Sequence, residues 1–387
     1  MSPNFLMKTP SRIAAIIFCV LANVAILTPA SAQVPEIEIA NDKDWQHDWT
    51  PMVFPAQIDS FQRQSISQFE ERDTNIASQY YDEESKTILS IYIYRPGNPN
   101  SAIWFDRALM SIGARDIYGD VDLEEIKVGS FVPNGGTVES GQYAVIKPSG
   151  RFRSTAVSLY QAGEWLVKLR ISSRELSVGP METLLKSING ALPALENISR
   201  TPAYFVKLCE TPMSTKSAAE IEADSGMSVA LGLSFVTGNE TEVQDQLADP
   251  NGAPNGQSPR QYCRVGEREP SFNVYRPDET ANQYYVATGD SGFGVMVAPD
   301  PLLGLLTGDE AKVHRITVST SSGLITQILG VFDAIPNLDQ TIQAVNNGRV
   351  IATINRTLGD EGQSISVSSG TSTAESDASS ESESSDD

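Results

Sequence analysis

Along residues 87–94, TILSIYIY, apolar side chains alternate so that Leu89, Ile91 and Ile93 share one face. That period of two predicts a half-buried strand. Pro96, Gly97 and Pro99 break it. Asn100 or Ser101 is then placed to cap a helix whose apolar stripe is Ala102, Phe105, Leu109 and Ile112, with Gly113 as its stop. Alternation returns over 164–171, EWLVKLRI, where Trp165, Val167, Leu169 and Ile171 face one side. Ser177 follows as the cap of a second helix lined by Met181, Leu184, Leu185, Ile188 and Leu192. Shorter strands are expected at 60–69, 74–81, 127–132, 142–147 and 153–160.

Runs of strands interrupted by single helices predict an α+β fold with mainly antiparallel sheets and packed helices. This pattern fills a first domain over 51–197. The Pro-containing stretch PALENISRTPA, 193–203, is expected to end it. A second, strand-rich α+β domain is expected over 203–357. Its strands are AYFVKL, MSVALGLSFV, RQYCRV, SFNVYRP, QYYVAT and FGVMVAP, then a hairpin of 313–319 and 324–332 around Ser321-Ser322-Gly323. Asn337 caps a closing helix with Leu338, Ile342 and Val345 inside. Both domains hold a strand ending in Tyr-Arg-Pro, at 94–96 and 275–277, which fits coincidence better than an internal repeat.

The strand-turn-helix of 87–113 and the closing GEWLVKLRISSRE…METLLKSINGAL of 163–192 resemble those of PsbP/Mog1-like proteins. The resemblance covers under half of the chain. It implies an antiparallel sheet sandwiched between helices and brings no shared catalytic residues. The layout is also similar to that of uncharacterised exported bacterial proteins.

The two ends carry distinct signals. Lys8 and Arg12, the apolar run Ile13–Leu27 and the Ala30/Ala32 pair make the three parts of a secretory signal peptide over 1–32, cut after Ala32. An extension, 33–50, precedes the first domain. Residues 358–387 are Ser-rich and acidic without an aromatic residue, which predicts a disordered tail. A periplasmic or secreted bacterial protein is therefore expected, with no stable membrane insertion after cleavage, because no second long apolar stretch follows.

The formal net charge of −21 disfavours nucleic acid and anionic membrane surfaces as partners. Beyond the signal peptide only Cys209 and Cys263 remain, and in an oxidising compartment they are expected to pair.

Candidate chemistry is thin. Gly289-Asp290-Ser291-Gly292 with His47 upstream resembles the order of trypsin-like proteases, but Phe293 and Gly294 break the pattern and a hairpin turn explains the same letters. His47 and His314, the two histidines, are too few for a His-rich zinc site. Asp249, Asn251 and Asn255 lack the carboxylates of a calcium loop. Asp82-Glu83-Glu84 reads as a solvated turn. Arg95 and Arg107 flank the RPGNPN turn and are candidate anion contacts at a helix N-terminus, though a loop under a packed helix predicts the same residues. Trp45, Trp49 and Trp104 are candidates for a partner surface. No catalytic residue, metal ligand or cofactor is expected. The leading expectation is a non-catalytic binding or assembly protein for an unknown protein partner or small ligand. An enzyme with a carboxylate site in an interdomain cleft and a structural envelope component are the alternatives.

Overall fold

The computed structural model describes residues 34–122, 126–214, 216–222, 261–277, 280–300, 303, 313–320, 322–359 and 363–367. From Pro35 onward the chain is one compact body. It is sheet-rich, with mostly antiparallel strands and few helices.

A two-stranded ribbon, β1 (Trp45–Gln46) and β2 (Val53–Phe54), leads in. The first large sheet is formed by β3 (Gln57–Ile58), β4 (Phe61–Gln68), β5 (Asn75–Asp82), β6 (Thr87–Tyr94), β7 (Lys127–Phe131), β8 (Gly141–Ile146), β9 (Ser154–Ala162) and β10 (Trp165–Ser173). Its strand order is β3-β4-β5-β6-β10-β9-β8-β7, antiparallel throughout, so β6 and β10 lie at its centre. Helix α1 (Ser101–Gly113) follows β6, and α2 (Val178–Ala191) follows β10.

The second sheet runs in chain order. It holds β11 (Lys207–Leu208), β12 (Tyr262–Val265), β13 (Phe272–Pro277), β14 (Tyr284–Thr288), β15 (Gly294–Pro299), β16 (His314–Ser319), β17 (Ile325–Phe332), β18 (Ala352–Arg356) and β19 (Gln363–Val367). Helix α3 (Leu338–Asn347) sits between β17 and β18. Among the described strands only the short β11–β12 pair is parallel.

Sequence alternation decides which face of each strand is buried against what. Leu89, Ile91 and Ile93 of β6 and Val167, Leu169 and Ile171 of β10 pack with Met181, Leu185 and Ile188 of α2. On the other side of the sheet lies α1. Its stripe of Ala102, Phe105, Leu109 and Ile112 is buried as expected, but Ile103, Trp104, Asp106, Arg107, Ala108 and Met110 are buried as well. A single stripe accounts for one sheet. Two are present: α1 packs on Ala144, Val157, Leu159 and Leu166 of the first and on Tyr275, Tyr285 and Ala287 of the second. The outer face of the second sheet, with Val286, Val295, Val297 and Ile316, is covered in part by Leu338, Ala344 and Val345 of α3. The layers thus run helix, sheet, helix, sheet, helix, and α1 is common to both sheets.

Several boundaries differ from those the pattern predicts. The stretch 193–203 is packed rather than a loose linker: Leu195 and Ile198 join the first core, Gly163 N donates to Asn197 O and Ser199 N to Gln161 O. Of AYFVKL, only Lys207–Leu208 forms a strand. Helix α3 does not close the fold, because β18 and β19 follow it, and within it only Thr341 is fully buried. Residues 363–367 were expected inside the disordered tail, yet they pair with β18, where Ile365 faces Ile354 in the register. The short alternation QSISV was masked by the Ser-rich composition around it. MSVALGLSFV, the 249–259 loop with Asp249, Asn251 and Asn255, and residues 368–387 lie outside the described residues, as do residues 1–33 with the expected signal peptide.

Candidate functional site

The even-numbered residues of the two central strands, Tyr92 and Tyr94 on β6 and Lys168 and Arg170 on β10, lie opposite the α2 core. A polar strand face ordinarily meets water. Here Lys168 is 4% exposed and Arg170 6%, because the β14–β15 turn closes over them. Lys168 Nζ donates to Asp290 O at 2.8 Å and Asp290 Oδ2 at 3.0 Å, and sits over the rings of Tyr92 and Tyr94 at 4.7 and 5.3 Å. Arg170 Nη2 lies 3.6 Å from the same carboxylate and donates to Ser111 Oγ at 3.2 Å. Burial alone would push the Asp290 carboxyl up, but Lys168 and Arg170 hold it well below the usual carboxylate range. Burial lowers the Lys168 ammonium, and Asp290 opposes that shift.

Helix α1 contributes the next two charges. Asp106 accepts both of its close contacts to Arg264 Nη1, at 2.9 and 3.0 Å, together with Arg268 Nε at 3.2 Å and Tyr275 Oη at 2.9 Å. Burial, with Asp106 beside it, keeps the Tyr275 phenol well above its ordinary value, so it serves as a donor. Arg107 spreads its guanidinium over the second sheet. Nε donates to Gly289 O at 2.8 Å, Nη1 to Glu269 O and Asn273 Oδ1 at 2.7 Å each, and Nη2 to Pro270 O at 2.6 Å. Arg95 donates to Gly323 O at 2.7 Å and to Glu164 Oε2 at 2.6 Å.

The two arginines named as anion contacts are therefore engaged with different segments of the second sheet through carbonyl and amide acceptors, and Arg95 also with the Glu164 carboxylate of the β9–β10 turn. The amides at the start of α1 are also occupied: Asn100 Oδ1 accepts from Ala102 N and Ile103 N. The RPGNPN turn itself meets the second sheet. A Cβ on Gly97 would lie 2.1 Å from Ser319 Cβ, and Asn98 Nδ2 donates to Tyr262 Oη at 3.4 Å. The two Tyr-Arg-Pro segments do share a location, since Tyr94 and Tyr275 line the same core around α1.

Gly289-Asp290-Ser291-Gly292 forms the β14–β15 hairpin turn, with Gly289 and Gly292 at positive φ. His47 belongs to a different place. Its Nε2 donates to Asp73 O at 2.8 Å, its Nδ1 meets Thr50 Oγ1 at 2.9 Å, and its ring packs edge-on to Trp165. His314 begins β16, with Nε2 3.0 Å from Asn282 O. Asp82 closes the β5–β6 turn by accepting from Glu84 N and Ser85 N. Cys209 and Cys263 form the expected disulfide, at a Cα–Cα distance of 4.9 Å, and fasten β11 to β12. Among the described residues no group of three or more His, Cys, Asp or Glu side chains is arranged to hold a metal, and no helix is long and apolar enough to cross a membrane.

The buried charges Asp106, Lys168, Arg170 and Arg264, and the partly buried Asp290, are not evident in the sequence. One signal was present. SAIWFDRALMSIG is apolar or small at every position except the adjacent Asp106-Arg107, and a helix with no strongly polar face is buried all round. A charged pair inside such a helix then requires partners. Chemically, each carboxylate of this seam is matched by a cation, so the arrangement provides cohesion between the sheets. No family model matches the chain, and no curated protein matches it.

Proposed function

We propose that this chain is an exported, non-catalytic binding or assembly protein that acts in the bacterial periplasm or outside the cell. The observation that carries the reading is the charge-matched seam around α1. The two carboxylates best placed between the sheets, Asp106 and Asp290, are each held by cations of this same chain. Neutralised in this way, they serve to fix one sheet against the other. A body fixed across both sheets offers its outer surfaces with little conformational cost on association. The N-terminal signal pattern and the Cys209–Cys263 disulfide support an oxidising compartment.

The test is affinity purification from the native envelope under mild crosslinking, with the tagged mature chain as bait, with and without residues 368–387. A reproducible protein retained by both baits is the expected result. A partner lost with residues 368–387 would move the function to that segment. Recovery of no partner, together with turnover in a substrate screen, would overturn the reading.

A further inference from the structure

The turn between β4 and β5 combines features of an interaction surface. Trp49 is 42% exposed and Phe69 46%, although large aromatic side chains are ordinarily covered. Both are anchored to the same turn. Trp49 Nε1 donates to Arg72 O at 2.7 Å, and Phe69 N donates to Asn75 O at 2.9 Å across the base of the short Glu71–Asp73 helix. His47 Nε2 pins this turn from below through Asp73 O. The aromatic groups are therefore held in place while their surfaces stay open to water.

The charges around them are unbalanced. The Asp48 charge lies close enough to act on the Asp73 carboxyl, and Gln68 Nε2 supplies a neutral donor to Asp73 Oδ1 at 2.8 Å. Neighbouring carboxylates repel each other. Burial, with the Asp48 charge beside it, raises the Asp73 carboxyl above its ordinary value. Glu71 adds a further negative charge and Arg72 a single positive one. A partner's ammonium or guanidinium group placed at this pair would relieve the repulsion, and the neighbouring indole and phenyl faces favour a cation electrostatically. The chain's charge of −21 also steers basic partners toward it.

We infer that Asp48, Trp49, Phe69 and Asp73 form a docking surface for a basic segment of a partner protein, with lysine or arginine side chains interspersed with apolar ones. This deepens the binding function proposed above and rests on it.

Two measurements test it on the mature chain. The first is calorimetric titration with a short synthetic peptide of alternating lysine and leucine, and with its glutamate counterpart. The paired substitutions Asp48→Asn/Asp73→Asn, and separately Trp49→Ala/Phe69→Ser, are expected to weaken the lysine peptide about tenfold. A control of equal charge change, Asp116→Asn/Asp339→Asn on distant exposed helical positions, is expected to leave affinity unchanged. Phe69→Ser alone, which removes a half-exposed ring and no hydrogen bond of its side chain, guards against a Trp49 variant that fails to fold. Binding to the native chain is further expected to release protons in the acidic range, because the incoming cation favours the ionised form of the Asp73 carboxyl. Equal weakening by patch and control substitutions would show global charge attraction only, and would overturn the assignment.

The second measurement places a photoreactive side chain at position 69, or at exposed position 325 on β17, in the native envelope. A crosslinked segment rich in lysine and arginine from 69 is expected, and an acidic or neutral segment there would overturn the surface. A partner captured from 325 but not from 69 would leave the binding function standing and end this inference. Capture from neither position would count against both.

Discussion

Asp106 accepts from Arg264, Arg268 and Tyr275 inside the seam, so removing its carboxylate leaves a buried guanidinium without its counter-charge. Breaking a buried pair from one side costs about 3–5 kcal/mol. Asp106→Ala should lose that much in denaturant unfolding, whereas Glu175→Ala, at the half-exposed Lys86 pair, should change stability by less than about 1 kcal/mol.

His47 gives the pH dependence at this scale. Burial lowers its pKa from the ordinary 6.5, so the fold favours the neutral ring. A folded pKa below the unfolded one means that the contribution is present above about 6.5 and is lost as pH falls through the lower folded value. Asp73 acts with the opposite sign. Its raised carboxyl adds stability below about 3.9 that is lost as pH rises through the folded value. Between pH 7 and 5 the His47 effect should dominate. Thermal midpoints should fall over that interval in the native chain and stay flatter in His47→Gln, whose amide can still donate to Asp73 O. An equal fall in both chains would remove His47 as the cause.

At the scale of elements, much was legible because local rules and the fold agreed. The faces of β6 and β10, the Asn100 cap and the Asn337 capping box all follow from spacing and side-chain chemistry. The second burial of α1 was not legible in the same way. A period of 3.6 marks one apolar face, and the other face of α1 is set by Tyr275 and Tyr285, distant in sequence. For the same reason the alternation of 164–171 marks the face of Val167 and Leu169 but not the burial of Lys168 and Arg170, which depends on the β14–β15 turn. Strand β19 was hidden by its Ser-rich neighbours. The closeness of this packing makes a small substitution informative. Gly97→Ala would bring a methyl group 2.1 Å from Ser319 Cβ and force β16 away from the RPGNPN turn. Overpacking of this kind costs about 1–3 kcal/mol, measurable as a lower denaturant midpoint.

At the scale of the whole molecule, both sheets share the core around α1, so heat should unfold the body in one calorimetric transition. The disulfide adds a constraint within it. Cys209 and Cys263 are 54 residues apart, and closing a loop of that length stabilises by about 4 kcal/mol in the chain-entropy treatment. A Cys209→Ser/Cys263→Ser double variant should unfold at correspondingly lower denaturant, with the separation of β11 from β12 as its first step. An unchanged midpoint would show that the surrounding strands, rather than the bridge, fix that edge.

The place of α1 also sets a timetable. During synthesis the helix is complete long before its second partner exists, because Tyr275 is added about 160 residues after Ile112. Throughout that interval the face of the helix that Tyr275 and Tyr285 later cover, Trp104 included, has no second sheet over it. The nascent chain is consequently most vulnerable to self-association just after the first sheet closes, and a chaperone that shelters this one helix would do more for the yield of native protein than one acting on either sheet.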